Sequence, residues 1–241
     1  MRRLALLFAA VALAAALPVG GRAGGILLIG TREEVSIGRS VDRDLVSKYG
    51  LSSDRKQTAQ VQSIGAKLAQ QSRRKNLTFQ FRLLATKEVN AFAAPGGYVY
   101  MTDGIMNFIG SDTSAVACIL GHEVGHIDER HSVRHLERQM GAELLIQLAL
   151  GRDRGAKLAH TATGLVLLGY GRDEEFKADD IGVTYASRAG YDAQGLVRFL
   201  EKLKQKEGKP PSDFETIFRT HPPTGDRIRH VTNYIKQHNL G

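Results

Sequence analysis

Cysteine is almost missing from this sequence, because Cys118 is the one cysteine among 241 residues. A single cysteine excludes an intramolecular disulfide, and no cysteine follows the apolar N-terminal stretch that could accept a lipid. The neighbours of Cys118 predict a buried helix, where a thiol acts as a small apolar filler. We therefore expect packing and a bound metal, and not cross-links, to stabilise the fold outside the cytoplasm.

Repeats, low-complexity tracts and domain linkers are also missing from the sequence. A hydrophobic content of 42% is sufficient for one sizeable core. We therefore expect a single domain over residues 24–241, preceded by a leader over residues 1–23.

The leader contains no acidic residue. Arg2 and Arg3 precede an uncharged, Ala-rich stretch from Leu4 to Pro18, and small residues follow around Ala23. This order is typical of a Sec-type signal peptide, and the stretch is short for a membrane span. We expect cleavage after Ala23 and a periplasmic protein. The alternative is an uncleaved leader that anchors the chain in the inner membrane.

The formal net charge of +8 raises the question of nucleic-acid binding. Three of the arginines lie in the leader, and most other basic residues alternate with acids on predicted helical faces. This pattern favours a solvated surface over a nucleic-acid site. An apolar stretch from Leu144 to Leu168 predicts a buried or surface-lying helical hairpin, which leaves peripheral contact with a membrane open.

Hydrophobic periodicity predicts an α+β domain that is mostly helical and has a small β-sheet. Besides the hairpin, apolar residues at helical spacing indicate six helices, and two segments indicate strands. The predicted helices run from Glu33 to Tyr49, from Gln57 to Ser72, from Asp112 or Thr113 onward, from Asp173 to Gly190, from a cap at Asp192, and from Asp226 to Ile235, and the predicted strands are Phe79 to Leu83 and Tyr98 to Thr102.

The helix that begins at Asp112 or Thr113 carries the sequence His-Glu-Val-Gly-His over residues 122–126. Residues four apart project from one face of a helix, so His122 and His126 can share one metal ion. Glu123 cannot easily ligate from the same turn but is well placed to accept a proton from water. Because catalytic zinc needs three protein ligands, the sequence predicts one Zn²⁺ per chain and a third ligand downstream.

Several downstream residues could be the third ligand. The metzincin spacing is absent, and if the helix continues, His131 and His135 cannot reach back to the ion. Glu175 and Asp179 are four apart on one predicted helical face, so one can ligate the metal while the other supports a ligating histidine. The remaining candidates are His160, Glu174, Asp180 and His221.

The motifs so far described belong to a set of five along the chain: Asn90-Ala91-Phe92, Pro95 to Tyr100, His122 to His126, Glu175 to Asp179, and His221 to Thr224 with Arg227-Ile228. Together they resemble the gluzincin metallopeptidases, the family of HtpX, the CAAX prenyl endoprotease and the periplasmic proteases BepA and LoiP. The resemblance implies a zincin-like fold in which Glu175 is the third zinc ligand and Asp179 orients His122. Lys177 departs from the Glu that is frequent in periplasmic members.

The resemblance also implies roles beyond the metal. The strand from Tyr98 to Thr102 resembles the zincin edge strand that pairs with an extended peptide, so we expect Gly97, Tyr98, Val99 and Tyr100 to bind substrate. Asn90 would fix either this strand or the substrate.

Peptide hydrolysis also needs a donor to the oxyanion besides zinc. We expect His221 or Arg227 to supply it. Alternatively, His221 sits on the metal and closes the site.

The function implied by the resemblance is a zinc metalloendopeptidase acting on unfolded or misassembled envelope proteins. The alternative is a chaperone-like binder of such proteins with little turnover. No tetratricopeptide-repeat domain like that of BepA-type members follows the motifs, so we expect no docking of partners through such repeats.

Overall fold

The computed structural model describes residues 29–139, 164, 169–208, 210–222 and 225–240. The predicted leader and nearly all of the predicted apolar hairpin lie outside these residues. Within the described ranges, no helix combines the length and apolar character that a bilayer span requires.

Helices make up most of the described chain, and three short strands form one sheet, so the expected α+β architecture is confirmed. The helices are α1 (Thr31–Tyr49), α2 (Arg55–Ala69), α3 (Asp103–Ile109), α4 (Thr113–Asp128), α5 (residues 131–139), α6 (Arg172–Arg188), α7 (Gln194–Lys204), α8 (Glu215–Thr220) and α9 (Gly225–Gln237), with a short 3₁₀ turn at Ser212–Phe214, and the strands are β1 (Gln80–Leu84), β2 (Ala91–Ala94) and β3 (Tyr98–Thr102).

The sheet has the strand order β1-β3-β2, with β1 parallel and β2 antiparallel to β3. The expectation that β3 is an edge strand is therefore wrong, because both of its edges pair with neighbours. Val99 and Tyr100 are fully buried, and Gly97 packs against the backbone of Thr78. In the described sheet, β2 is instead the edge strand that packs on α4.

β2 was not predicted, for a physical reason. All four of its residues are buried, so no alternation of apolar and polar residues marks it as a strand. Three of them are alanines, which have a low β-propensity. The strand forms because its backbone pairs with β3 and because Phe92 stacks on Tyr100 at 4.9 Å between ring centroids.

Helices α4 and α6 cross at unusually close range because glycines line their contact. A Cβ atom built at Gly121 would lie 2.7 Å from the carbonyl oxygen of Gly182, and one built at Gly125 would lie 3.1 Å from that of Ala178. Two backbones can come this close only where side chains are absent. The crossing places the His122–His126 face of α4 directly against α6.

Helix α4 ends soon after its second histidine. Arg130 adopts a φ of 57°, in the left-handed region, so the chain turns and α5 starts at residue 131. Other predicted ends shift by a few residues. For example, α2 ends at Ala69, and the Asp192 carboxylate accepts the Gln194 N–H at 2.9 Å although Ala193 occupies the cap of α7.

Candidate metal centre

Four buried side chains converge where α4, α6 and the end of α8 meet. They are His122 and His126 of α4, Glu175 of α6 and His221, which follows α8. One potential ligand atom from each lies within 4.8 Å of all the others. Imidazole nitrogens together with a carboxylate oxygen form a ligand set that suits zinc, so these residues fit a zinc ion.

The helix register of α4 explains how the two histidines meet. The Nε2 atoms of His122 and His126 are 2.9 Å apart, as expected for side chains that project from one helical face. Across the crossing, Glu175 lies in the first turn of α6, and its Oε1 is 3.4 Å from the Nε2 of His126.

The adjacent side chains of Glu174 and Glu175 point in different directions, and only Glu175 faces the cluster. Glu174 points away from the cluster and accepts from the Nε2 of His135 at 3.0 Å and from Arg138 at 3.2 Å. Burial alone would raise the pKa of Glu174, but His135, the Gly171 N–H and Arg138 lower it to about 2. This side chain is therefore an ionised surface group that braces α5 against α6.

Asp179 holds the second nitrogen of His122. Its Oδ1 is 2.8 Å from the Nδ1 of His122, which leaves the Nε2 of that ring facing the cluster. Such a carboxylate fixes both the tautomer and the orientation of a ligating histidine. Burial opposes ionisation of Asp179, but the charge of Arg227 and its hydrogen bonds lower the pKa of the carboxyl below its usual range.

Arg227 of α9 joins the two carboxylates of α6. Its Nε and Nη2 donate to Asp179 at 2.8 and 2.6 Å, and its Nη1 lies 2.7 Å from Oε2 of Glu175. The guanidinium also donates to the carbonyl of Pro222 at 3.3 Å. The guanidinium therefore links Asp179 and Glu175 to the residue that follows His221.

Glu123 lies beside the cluster, and only one of its two carboxylate oxygens contacts a residue of the cluster. The side chain is 1% exposed, its Oε1 is 3.7 Å from the Nε2 of His221, and its Oε2 has no hydrogen-bond partner among the described residues. Burial raises the pKa of Glu123, an effect that the nearby His221 and His122 partly offset. A buried carboxylate with a free oxygen and a raised pKa is suited to accept a proton.

His221 completes the cluster from the opposite side. Its Nδ1 lies 3.1 and 3.2 Å from the two oxygens of Glu175. Burial would lower the pKa of His221, but the charges of Glu175 and Glu123 raise it above its usual value. The segment before it is tightly packed, since a Cβ atom at Gly169 would come within 2.9 Å of the Cα of Thr220.

Around His126, Tyr170 and Ser132 were not identified from the sequence, and His131 was considered there only as a possible metal ligand. The Nδ1 of His126 is 2.8 Å from the Nδ1 of His131, and the ring of Tyr170 stacks on His126 with 3.9 Å between centroids. The Tyr170 hydroxyl is 2.8 Å from the hydroxyl of Ser132. The one sequence signal was the histidine five residues after His126, and its contact depends on the turn at Arg130.

A cavity of about 20 Å³ lies next to Glu123. Apolar side chains of α3, α4, α7 and α8 form most of its wall, and Ala91 of β2 contributes to it. Asn90 precedes this strand, and its backbone N–H is 3.2 Å from the hydroxyl of Thr102. The Oδ1 of Asn90 is buried and has no hydrogen-bond partner among the described residues. Gly97, Tyr98, Val99 and Tyr100 line neither the cavity nor the cluster.

Comparison of the sequence with known proteins identifies the family of this chain. Residues 55–235 match Peptidase family M48. The chain is 29% identical over 234 residues to the beta-barrel assembly-enhancing protease of Escherichia coli K12, covering 91% of this chain and 47% of that protein. It is 28% identical over 162 residues to Metalloprotease YcaL of the same strain, covering 64% of this chain and 61% of that protein.

A eukaryotic relative matches just over half of the chain. The mitochondrial metalloendopeptidase OMA1 of Arabidopsis thaliana is 35% identical over 135 residues, which cover 56% of this chain and 27% of that protein. The chain spans about half the length of the beta-barrel assembly-enhancing proteases it matches. These matches confirm the expected family, and the chain belongs to peptidase family M48, whose members are zinc-dependent metallopeptidases.

Proposed function

We propose that this chain is a zinc metalloendopeptidase that hydrolyses unfolded or misassembled proteins outside the cytoplasm, with His122, His126 and Glu175 as the zinc ligands. One observation carries the proposal: the cluster of His122, His126, Glu175 and His221 lies beside Glu123, whose buried Oε2 has no hydrogen-bond partner among the described residues. A purely structural zinc site needs no neighbouring base, so this unpaired carboxylate oxygen favours a catalytic site.

Glu123 is the general base in this proposal. Bound zinc supplies Lewis acidity, which polarises the scissile carbonyl and makes water acidic enough to react near neutral pH. Glu123 accepts the proton of the attacking water on its free oxygen and delivers it to the leaving amine. Burial raises the pKa of Glu123, which favours acceptance of this proton by the carboxylate.

Asp179 and Arg227 keep the ligands in place. Asp179 holds the proton of His122 on Nδ1, so that Nε2 is available to the metal. Arg227 binds Asp179 and Glu175 together and thereby fixes the distance between α9 and α6. Oxyanion stabilisation by Arg227 would require it to leave these partners.

His221 has two alternative roles in the proposal. A histidine so close to the three ligands can occupy the remaining zinc position, exclude water and hold the enzyme latent. Support for this gating role comes from its Nδ1, which lies 3.1 Å from Glu175. In the alternative, His221 moves away from Glu175 and donates to the oxyanion. The two roles predict opposite effects of removing the imidazole.

The substrate is proposed to bind as an extended strand along β2, the sheet edge beside α4, through main-chain hydrogen bonds. The residues of β2 are buried, and the Ser132 hydroxyl donates to the carbonyl of Ala93 at 3.3 Å, so a substrate strand would have to replace this contact. In this proposal Glu123 protonates the leaving amine, so the cavity beside it would receive the small apolar side chain that follows the scissile bond. A peptide library would reveal this as an apolar preference directly after the cleaved bond.

The names of two relatives support the substrate class, and the N-terminal residues support the location. The Escherichia coli relatives are named as an enhancer of β-barrel assembly and as a metalloprotease, and export is supported by the leader-like order of residues 1–23. The experiment is digestion of casein by the purified chain beside its Glu123→Gln variant. A protease loses cleavage in the variant, whereas a chaperone-like binder would treat casein identically with or without the carboxylate.

A further inference from the structure

The two histidines of α4 are held by partners of different chemistry. His122 directs its Nδ1 to a carboxylate, the Oδ1 of Asp179, at 2.8 Å. His126 directs its Nδ1 to another imidazole, the Nδ1 of His131, also at 2.8 Å. His126 and His131 are both almost fully buried. The second pair therefore lies in an environment where an unmatched polar atom would be costly.

The contact between the two imidazoles allows one arrangement of protons when His126 uses its Nε2 towards the metal. His126 then carries its proton on Nδ1 and donates it. The Nδ1 of His131 must accept, so the proton of a neutral His131 resides on its Nε2. His131 thus selects the tautomer of His126 without adding the negative charge that Asp179 brings to His122.

The face of the His126 ring is held as well as its edge. Tyr170 stacks on it with an interplanar angle of 20°, and the Tyr170 hydroxyl pairs with Ser132 at 2.8 Å. His131 and Ser132 are consecutive at the start of α5, directly after the left-handed residue Arg130. The start of α5 therefore restricts the His126 ring in two ways. His131 limits its rotation, and Ser132 limits its tilt by holding Tyr170 against its face.

We propose that His131 is a positioning residue that sets the tautomer and orientation of His126, with Tyr170 limiting the ring from its face. The inference rests on the proposed function, in which His126 is a zinc ligand. Partners of this kind change metal affinity by about 10- to 100-fold when they are removed.

The test compares two substitutions of His131 in the purified chain. His131→Leu removes the acceptor and keeps an apolar side chain in the site. His131→Asn places an oxygen where the Nδ1 of the imidazole was, so it can still accept from His126. His135→Ala is the matched control, because His135 lies one turn further along α5 and pairs with Glu174.

The readouts are the dissociation constant for Zn²⁺ by chelator competition, the visible spectrum after Co²⁺ substitution, and the melting temperature of the metal-free protein. We expect His131→Leu to weaken Zn²⁺ binding by about 10- to 100-fold and to alter the Co²⁺ spectrum. His131→Asn should recover most of the affinity, and His135→Ala should match the wild type. The melting temperatures of the metal-free proteins reveal any general loss of folding.

Two results would overturn the inference: wild-type Zn²⁺ affinity in His131→Leu, or equal losses in His131→Leu and His131→Asn. A parallel measurement on His126→Ala separates this failure from failure of the proposed function. If His126→Ala loses zinc while His131→Leu keeps it, only the positioning role is rejected. If His126→Ala keeps zinc, the proposed ligand set itself is wrong.

Discussion

Gly182 of α6 lies against the backbone of His122 in α4, so closely that a Cβ atom at residue 182 would come within 2.7 Å of the His122 nitrogen. The contact links the packing of two helices to the position of a proposed metal ligand. Glu175 and Asp179 lie on the same helix as Gly182, so any separation of α6 from α4 moves these carboxylates away from His122.

The first prediction follows from this contact. Gly182→Ala should cost about 1–3 kcal/mol of unfolding free energy, as overpacking does, and should also weaken zinc binding. Chemical denaturation and zinc titration measure the two effects. Gly171→Ala is the control, because the nearest atom to a Cβ there is 3.8 Å away. If the two variants had equal unfolding free energies and equal zinc affinities, the close crossing of α4 and α6 would not be what holds the site together.

Arg227 provides the second prediction. Arg227→Met leaves the buried carboxylates of Asp179 and Glu175 without their cation, which should destabilise the fold by about 3–5 kcal/mol. Thermal unfolding measures the loss. The control is Arg229→Ala, two residues after Arg227 in α9. It breaks only an exposed ion pair with Asp226 and should lower the unfolding free energy by at most about 1 kcal/mol. A stable Arg227→Met protein would contradict the structural account of this guanidinium.

Much of the centre could be predicted from the sequence because helical spacing is a local property. A spacing of four residues places two side chains on the same face of a helix, whatever the tertiary structure. This applies to His122 with His126 and to Glu175 with Asp179. The role of the sheet could not be predicted in this way. Whether β3 is central or at an edge depends on β2, whose four buried residues carry no alternation. The contact of His131 likewise depends on one backbone angle at Arg130.

The third prediction concerns His221. If it gates the centre, His221→Ala should retain zinc and cleave an unfolded substrate faster than the wild type. If it stabilises the oxyanion, the same variant should lose about 10²-fold or more in kcat. We expect the first result, because His221 lies among the proposed ligands and against Glu175. An unchanged rate with unchanged zinc would reject both roles.

The fourth prediction concerns export. The basic start, the uncharged stretch and the small residues before Ala23 should direct secretion and cleavage. Intact-mass measurement on protein from the periplasmic fraction should give a chain that begins at Gly24. Recovery of only the full-length chain, and only with membranes, would favour the anchored alternative.

The last prediction tests the proposed ligand set and the proposed base together. His122→Ala, His126→Ala and Glu175→Ala should each lose zinc, since each removes one of three ligands. Glu123→Gln should keep zinc and lose about 10²- to 10⁴-fold in activity, as expected for a general base. Glu174→Ala is the matched control, because its carboxylate faces His135 and Arg138.

The decisive measurement is therefore the zinc content of purified Glu175→Ala beside purified Glu174→Ala. The account predicts no bound zinc in Glu175→Ala and one zinc per chain in Glu174→Ala. Zinc retained in Glu175→Ala, or lost only in Glu174→Ala, would contradict it.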